Sequence, residues 1–419
     1  MDSYLCLMHS NKYLLVIGGP TASGKTDLAI TMARKYTTEI VSADSRQFFR
    51  EMTIGTAPPS PEQLSSVPHH FIGHRSVHQP YSVGAYERDA WPILQRLFER
   101  HDVVILTGGS GLYIQAVCQG LDAFPPIAPE VQQSVQRDYE TYGLPFLQEE
   151  LAREDPDYFL EVDRRNPHRL MRALAVIRQS GQPFSSFRQK KRAIRPFHPI
   201  YVALQHERQT LYERINQRVE QMIAQGLEAE ARALYPLRHL TALQTVGYQE
   251  WFDHFDHRIS RQETIDRIKQ HTRNFAKRQL TWMRREGFWK HFTPQECPDM
   301  LDKYVGWARQ KSVQWVWDKA TGILQIRSGR AVLASLRLTF TGPSRRPTLQ
   351  LTDFYRTESD PQAGAWIIHE AVRRGEGQRV LAISSIENEP LFREAGFVND
   401  WQDASASAPH LLFRKIESG

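Results

Sequence analysis

Four short apolar runs punctuate the first 205 residues: Tyr13–Ile17, Glu39–Ala43, Asp102–Thr107 and Pro199–Leu204. Unbroken runs of this length predict strands buried on both faces, as in a parallel sheet. Between and after them, apolar positions recur at helical spacing over Asp27–Lys35, Tyr86–Arg100, Glu207–Tyr235 (a single long helix tolerating Gly226) and His271–Arg285. Strand and helix therefore alternate, which predicts an α/β core. From Asp122 to about Pro183 the pattern is helical and highly charged, behind the proline-rich entry Phe124-Pro125-Pro126-Ile127-Ala128-Pro129. This stretch predicts a helical insertion of about 122–190. Within it Leu170, Leu174 and Ile177 share one helix face, leaving Arg169 and Arg172 to point elsewhere.

The first run ends in Gly19-Pro20-Thr21-Ala22-Ser23-Gly24-Lys25-Thr26 and a helix follows. Strand, glycine loop and helix give the pattern G-x-x-x-x-G-K-[ST] a mechanism. The glycines let successive N–H groups turn inward, and the helix start adds unpaired N–H groups and positive potential. Lys25 brings a mobile charge to the outer phosphates, and Thr26 offers a hydroxyl to Mg²⁺. The loop implies a polyphosphate ligand and leaves the reaction open.

The second run ends in Asp44-Ser45-Arg46-Gln47. Ligands in open α/β sheets sit beyond the carboxyl ends of strands. Asp44 could there bind Mg²⁺, take a proton, or only cap the next helix. The third run leads into Gly108-Gly109-Ser110-Gly111-Leu112-Tyr113, with no aspartate for Mg²⁺ at its end, which argues against ordinary NTP hydrolysis. His69, His70, His74 and His78 lack acidic or thiol companions and read as a surface loop rather than a metal site.

Composition changes this picture only in part. The 419 residues exceed one ordinary core and predict two domains, 1–298 and 299–419. Net charge is +6 and pI about 9.1, which permits a nucleic-acid partner. The distribution is more pointed. Five Arg/Lys fall between Arg273 and Arg285 around Trp282, and Phe184-Ser185-Ser186-Phe187-Arg188-Gln189-Lys190-Lys191-Arg192 interleaves aromatics with bases, both suited to a polyanion. Cys6, Cys118 and Cys297 form no C-x-x-C pair, which excludes a disulfide framework and fits a cytoplasmic setting. No signal peptide is expected at the N-terminus, and no run nears the ~20 apolar residues of a membrane span.

Over residues ~12–295 these motifs, taken in order, resemble the tRNA dimethylallyltransferases (tRNA isopentenyltransferases). The set is Gly19–Thr26, Asp44–Gln47, Ile54-Gly55-Thr56-Ala57, Val67-Pro68-His69-His70, Gly108–Tyr113, Asn166-Pro167-His168-Arg169, Val246-Gly247-Tyr248 and Ala276-Lys277-Arg278-Gln279-Leu280-Thr281-Trp282. The resemblance implies transfer of a dimethylallyl group from dimethylallyl diphosphate to N6 of the adenosine 3′ of the anticodon. The P-loop core would hold the diphosphate of an isoprenoid rather than ATP. It implies Asp44 as general base, Ser110 (usually Thr in the family) as a hydroxyl at the reacting centre, and Lys25 and Arg218 on the diphosphate. Mg²⁺ would sit at Thr26. Asp44, Ser45, Arg46, Gln47, Met171, Arg172, Ala173, Leu174, Ala175, Gly247, Tyr248, Lys277, Arg278, Gln279, Trp282 and Arg284 match segments that contact the tRNA anticodon stem-loop. The insertion and the basic helix would clamp that stem-loop. Gln132 departs from a position where many members are basic. The chain is expected to act as a monomer, with no membrane partner.

The last ~120 residues read as strands Gly322–Arg327 and Arg330–Phe340, a strand Leu349–Tyr355, a helix Gly364–Arg374, a strand Val380–Ser384 and a last strand near His410–Phe413. This order, with Asn388-x-x-Leu391-Phe392-x-x-x-Gly396-Phe397, resembles the second half of a GNAT-type acetyltransferase. The family's acetyl-CoA loop should fall at Asp360-Pro361-Gln362-Ala363-Gly364-Ala365-Trp366, where its basic first position and second small residue are out of register. A GNAT-like α+β accessory domain, for RNA binding or docking, is expected. The competing readings are a small-molecule kinase, a prenyltransferase of free adenine nucleotides and a bifunctional enzyme with a live acetyltransferase.

Overall fold

A computed structural model describes residues 12–188, 193, 195–286, 289–294, 298–311, 313–318, 320–328, 331–341, 348–357, 360–374, 379–385, 397–403 and 410–415. Gln189–Arg192 of the basic run and Asn388–Gly396 of the C-terminal pattern lie outside them.

The predicted runs are strands. β1 (Tyr13–Gly18), β2 (Ile40–Ser42), β4 (Val103–Gly108) and β5 (His198–Leu204) are joined by β3 (His69–His70) and β6 (Lys290–Phe292), two short strands the pattern did not announce. All six are parallel, in the order β3-β2-β4-β1-β5-β6. β1 and β4 are buried along their whole length, which is why their sequence is continuous rather than alternating. Register sets where the loops emerge. Gly18 lies beside Gly108, Ile17 beside Thr107, and Ser42 also beside Thr107. The loops after β1, β2 and β4 therefore leave the same edge side by side. The approach is close, because a Cβ on Gly108 would strike the backbone of Ala43.

The helix Lys25–Lys35 follows the glycine loop, and Gly24 caps it at φ 87, a conformation that suits glycine. The expected single helix Glu207–Tyr235 is two. Arg208–Ala224 and Leu227–Leu234 are separated by Gly226 at φ 101, which breaks the helical path rather than being tolerated within it. The basic helix is longer than its apolar spacing suggested and runs Arg261–Glu286. Of the four histidines, His78 is exposed in a turn as expected, whereas His69 and His70 form β3. His70 pairs with Glu39 at 2.7 Å, and His74 lies among Phe48, Phe71 and Tyr81, where burial lowers its pKa to about 4.

Two compact units divide the chain: Met1–Ile114 with Pro196–Gly419, and Gln115–Arg195. The second holds helices Pro129–Glu154, Pro156–Glu161, Pro167–Ser180 and Phe184–Phe187 around a core that includes Leu147, Leu151, Leu170, Leu174 and Phe184. Arg178 ties it internally, with its guanidinium on Glu150 and Asp138 at 2.6 Å each.

In the first unit, the helix Asp299–Lys311 leads to a second sheet of order β12-β13-β11-β10-β9-β8-β7. Its strands are β7 (Val313–Asp318), β8 (Ile323–Ser328), β9 (Ala331–Thr341), β10 (Thr348–Arg356), β11 (Arg379–Ser385), β12 (Phe397–Asp403) and β13 (His410–Lys415). Among the described residues of this sheet only β10 and β11 pair in parallel, and the helix Pro361–Arg374 makes the crossover that such a pair requires. The expected order of strands and helix is present. β7, β12 and the helix Asp299–Lys311 are additions that the patterning missed.

Candidate active site

Two cavities meet at the carboxyl edge of the first sheet. One, of about 400 Å³, is lined by Thr21–Asp27, Asp44, Gln47, Arg214 and Arg218, among others. The other, of about 540 Å³, is lined by Asp44, Ser110, Leu112, Val219, Phe275 and Trp282, among others. Thr21, Lys25, Asp44, Thr56 and Arg218 line both. A polar recess thus opens into a more apolar one, with Asp44 at the junction.

Cations converge on the recess. Lys25 Nζ donates to Pro20 O at 3.1 Å. Burial lowers the Lys25 pKa to about 8, with Asp44 opposing the shift and Arg218 adding to it. Arg218 donates to Ala57 O at 3.1 Å and reaches Thr21 Oγ1 at 3.4 Å, and burial lowers its pKa too. Arg214, one helical turn away, donates to Ala22 O at 2.8 Å, and His206 bonds Ser23 O at 2.7 Å. Neither Arg214 nor His206 was singled out for the site from sequence. Arg214 stands at i−4 from Arg218, on the same helix face, but only the packing of that helix brings it to the loop.

A ligand anion would favour protonated Lys25. Inorganic diphosphate added near pH 8–9 should therefore bind with proton uptake, and its affinity should fall as pH rises above about 8. Calorimetry in two buffers of different ionisation enthalpy checks this, and identical heats in both would refute it.

Asp44 accepts from Arg46 N at 3.1 Å through Oδ1 in an Asx turn; the next helix starts only at Pro61 with Ser60 as its cap, so Asp44 caps no helix. It also faces both cavities, so the turn presents the carboxylate as well as stabilising the loop. Ser110 Oγ accepts from Ser45 N at 3.0 Å and meets Ser45 Oγ at 3.1 Å, joining the loops after β2 and β4. Gln279 joins the loops after β1 and β4. Its Oε1 accepts from Thr21 N at 3.0 Å and its Nε2 donates to Gly109 O at 2.9 Å. Trp282 packs over Gly111, where any Cβ would enter its ring.

Several expected RNA contacts have other work. Gln279 is buried, and Tyr248 is fully buried with its hydroxyl on Glu230 at 2.7 Å. Ala173, Leu174 and Ala175 are buried in the core of the helical unit, because their spacing puts them on its apolar face. In that segment only Met171 and Arg172 reach the surface. Arg46 is half-buried, donating to Ala242 O at 3.0 Å and Thr241 O at 3.3 Å. Lys277, Arg278 and Arg284 are exposed, Trp282 is half-buried, and Gly247 lines the larger cavity.

Glu230 holds the loop that roofs the cavities. Its carboxylate accepts from Thr53 N and Ile54 N at 2.8 Å each, from Gly55 N at 3.0 Å, and from Thr53 Oγ1 and Tyr248 OH at 2.7 Å each. Glu230→Ala would orphan these donors and should lower unfolding free energy by about 2–3 kcal/mol, read as the urea midpoint at constant slope.

Oxygen donors that line the recess include the Thr26 hydroxyl and the Asp44 and Asp27 carboxylates. No group of three or more His, Cys, Asp or Glu that could cage a metal exists among the described residues. This sparse oxygen set fits a hard divalent cation that shares its coordination with phosphate and water.

The comparisons with known proteins agree. A family model described as IPP transferase matches residues 47–286. The tRNA dimethylallyltransferase of Christiangramia forsetii is 48% identical over 295 residues, covering 70% of this chain and 98% of that protein. This chain belongs to the tRNA dimethylallyltransferase family. Another family member, tRNA dimethylallyltransferase 1 of Porphyromonas gingivalis, is 47% identical and covers 67% of this chain and 94% of its own. The crystal structure of the tRNA isopentenylpyrophosphate transferase of Bacillus halodurans matches with a TM-score of 0.54 at 31% identity, covering 71% of this chain and 97% of that one. A eukaryotic dimethylallyltransferase solved acting on tRNA shares the fold, with a TM-score of 0.59 at 21% identity. As a member of the dimethylallyltransferase family, the chain is a tRNA-modifying prenyltransferase. No helix among the described residues is long and apolar enough to cross a membrane.

Proposed function

We propose that this chain moves a dimethylallyl group from dimethylallyl diphosphate to N6 of the adenosine 3′ of the tRNA anticodon, releasing diphosphate. The observation that carries this reading is Asp44 at the junction of a cationic recess and a larger, more apolar cavity. The recess suits the diphosphate and the larger cavity suits a prenyl chain and a splayed base. A base in an RNA loop leaves its stack at a cost of a few kcal/mol.

The chemistry follows from the residues. The exocyclic amine is a poor nucleophile because its lone pair is delocalised into the purine. Asp44 accepts its proton as the new N–C bond forms and the C–O bond to diphosphate breaks. Loop N–H groups, Lys25, Arg214 and Arg218 stabilise the departing charge. Thr26 would hold Mg²⁺, which would add positive charge to the diphosphate. Ser110, through Ser45, holds the loop that carries Asp44. Exposed Lys277, Arg278 and Arg284 supply phosphate contacts, and Arg172 with Met171 offers a separate RNA-facing patch on the helical unit.

The test is incubation with dimethylallyl diphosphate, Mg²⁺ and a tRNA carrying that adenosine, followed by nucleoside mass analysis. The expected product is one prenyl mass on the adenosine 3′ of the anticodon. Prenylation of free adenine nucleotides with none on tRNA would overturn the assignment.

A further inference from the structure

The C-terminal segment is built into the catalytic sheet rather than hung from it. β6 is an edge strand, and an edge leaves backbone groups unpaired. Here the His291 N–H donates to Glu370 Oε2 at 2.9 Å, and Glu370 belongs to the helix Pro361–Arg374 of the second sheet. The same carboxylate meets His291 Nδ1 at 2.9 Å and lies 3.7 Å from Lys290 Nζ. Glu370 and Lys290 are 0% exposed. The Lys290 ammonium also sits 5.5 Å from the Phe292 ring and 5.6 Å from the Trp366 ring. At its start this helix is fixed by Asp360, buried, which accepts from Ala363 N and from Trp307 Nε1. A cap made from the chain's own buried carboxylate occupies one of the N–H groups with which a helix start would take a foreign anion. One continuous apolar core runs from β1 and β5 through Phe292 and Tyr304 to Leu336 and Ile367.

The residue just before β6 connects this anchor to the site. Trp289 is 0% exposed. Its ring fills the space beside Gly18, immediately before the phosphate loop, where a Cβ would come within 2.6 Å of it. It also packs edge-on to Trp282, with ring centroids 6.0 Å apart. Trp282 covers Gly111 and lines the larger cavity. A path therefore runs from Glu370 to His291 by hydrogen bond, along the chain through Lys290 to Trp289, and from Trp289 to Trp282 by ring contact.

We propose that Glu370 is a positioning residue for the RNA acceptor: the C-terminal domain braces β6, and through Trp289 it seats Trp282 at the wall of the larger cavity. This inference rests on the prenyl-transfer reading above. Breaking a buried ion pair by removing one partner leaves a charge uncompensated and lets the strand shift. A misplacement of about 1 Å can cost as much as 10²-fold. Trp282 lines the larger cavity and not the phosphate recess, so the donor should feel the change least.

The test uses the full chain. Glu370→Ala should raise KM for tRNA about tenfold, with KM for dimethylallyl diphosphate unchanged within a factor of two. Glu370→Gln, which keeps an acceptor for the His291 N–H, should recover most of the loss. Leu324→Ala, a core lesion in the second sheet, should lower the melting temperature and leave both KM values alone. A loss of folded fraction lowers apparent kcat but moves neither KM, so the split separates positioning from stability. Unchanged KM for tRNA in Glu370→Ala, or an equal rise in Leu324→Ala, overturns the proposal. Should Glu370→Ala fail to fold, hydrogen exchange on the wild-type chain decides. The His291 and Phe292 amides must be as protected as those of β1, and fast exchange there overturns the brace. An inactive wild-type chain would instead count against the prenyl-transfer reading.

Discussion

Replacing Asp44 by Asn lowers kcat for prenyl transfer by about 10²–10⁴-fold, the range for losing a positioned general base. The substitution is chosen because it keeps the local turn. An Asn Oδ1 can still accept from Arg46 N, so the loop after β2 holds its course. What disappears is the ability to take a proton at the junction of the two cavities. KM for either substrate should change by no more than a few fold, because binding draws on the glycine loop, the cations and the basic helix. Steady-state rates on tRNA, with product measured by nucleoside mass, give the answer. If the Asn variant keeps more than a third of wild-type kcat, Asp44 serves only the turn and the proton goes elsewhere.

Lys25→Met should separate activity from stability. Its ammonium points into the loop, donating to Pro20 O between Asp44 and Arg218. Removing one preorganised cation from a departing diphosphate costs about 10²–10³ in kcat/KM by analogy with a lost oxyanion donor. The effect on folding has the opposite sense. A lysine whose folded pKa lies near 8, below its unfolded value of 10.5, is disfavoured as a cation by folding. The penalty is full at pH below about 8 and is relieved as pH rises toward 10.5. Methionine removes it, so the variant should melt at the wild-type temperature or higher at pH 7 while losing most activity. A variant that is both inactive and markedly less stable would show that Lys25 holds the loop together instead of serving the ligand.

Arg214 and Gln279 mark where local pattern stops being informative. Arg214 and Arg218 are neighbours at i,i+4 on one helix, yet only packing of that helix against the glycine loop brings both guanidinium groups to it. Gln279 sits in a basic stretch and looks like a nucleic-acid contact, but the helix turns it inward to bridge Thr21 and Gly109. Ala173, Leu174 and Ala175 fail as contacts for a related reason. A segment can run along a surface while its small and apolar residues face the core.

The local signals in the chain were sufficient for the elements that depend on nearby residues. Continuous apolar runs specified buried parallel strands, Gly19 and Gly24 specified the phosphate loop, and the order of motifs specified the family. Relations between distant segments were not legible, because the side chain that satisfies a buried group is set by packing. Glu230 gathers three backbone N–H groups from a loop about 175 positions earlier, and no periodicity announces that. Glu370 likewise closes the edge of a sheet 79 positions away. β6 has three residues, too few for a pattern, and it is a strand because β5 pairs with one side and a buried carboxylate takes the His291 N–H. Local propensity thus determined the phosphate loop and the core strands, while tertiary burial decided which polar groups became walls, latches and anchors.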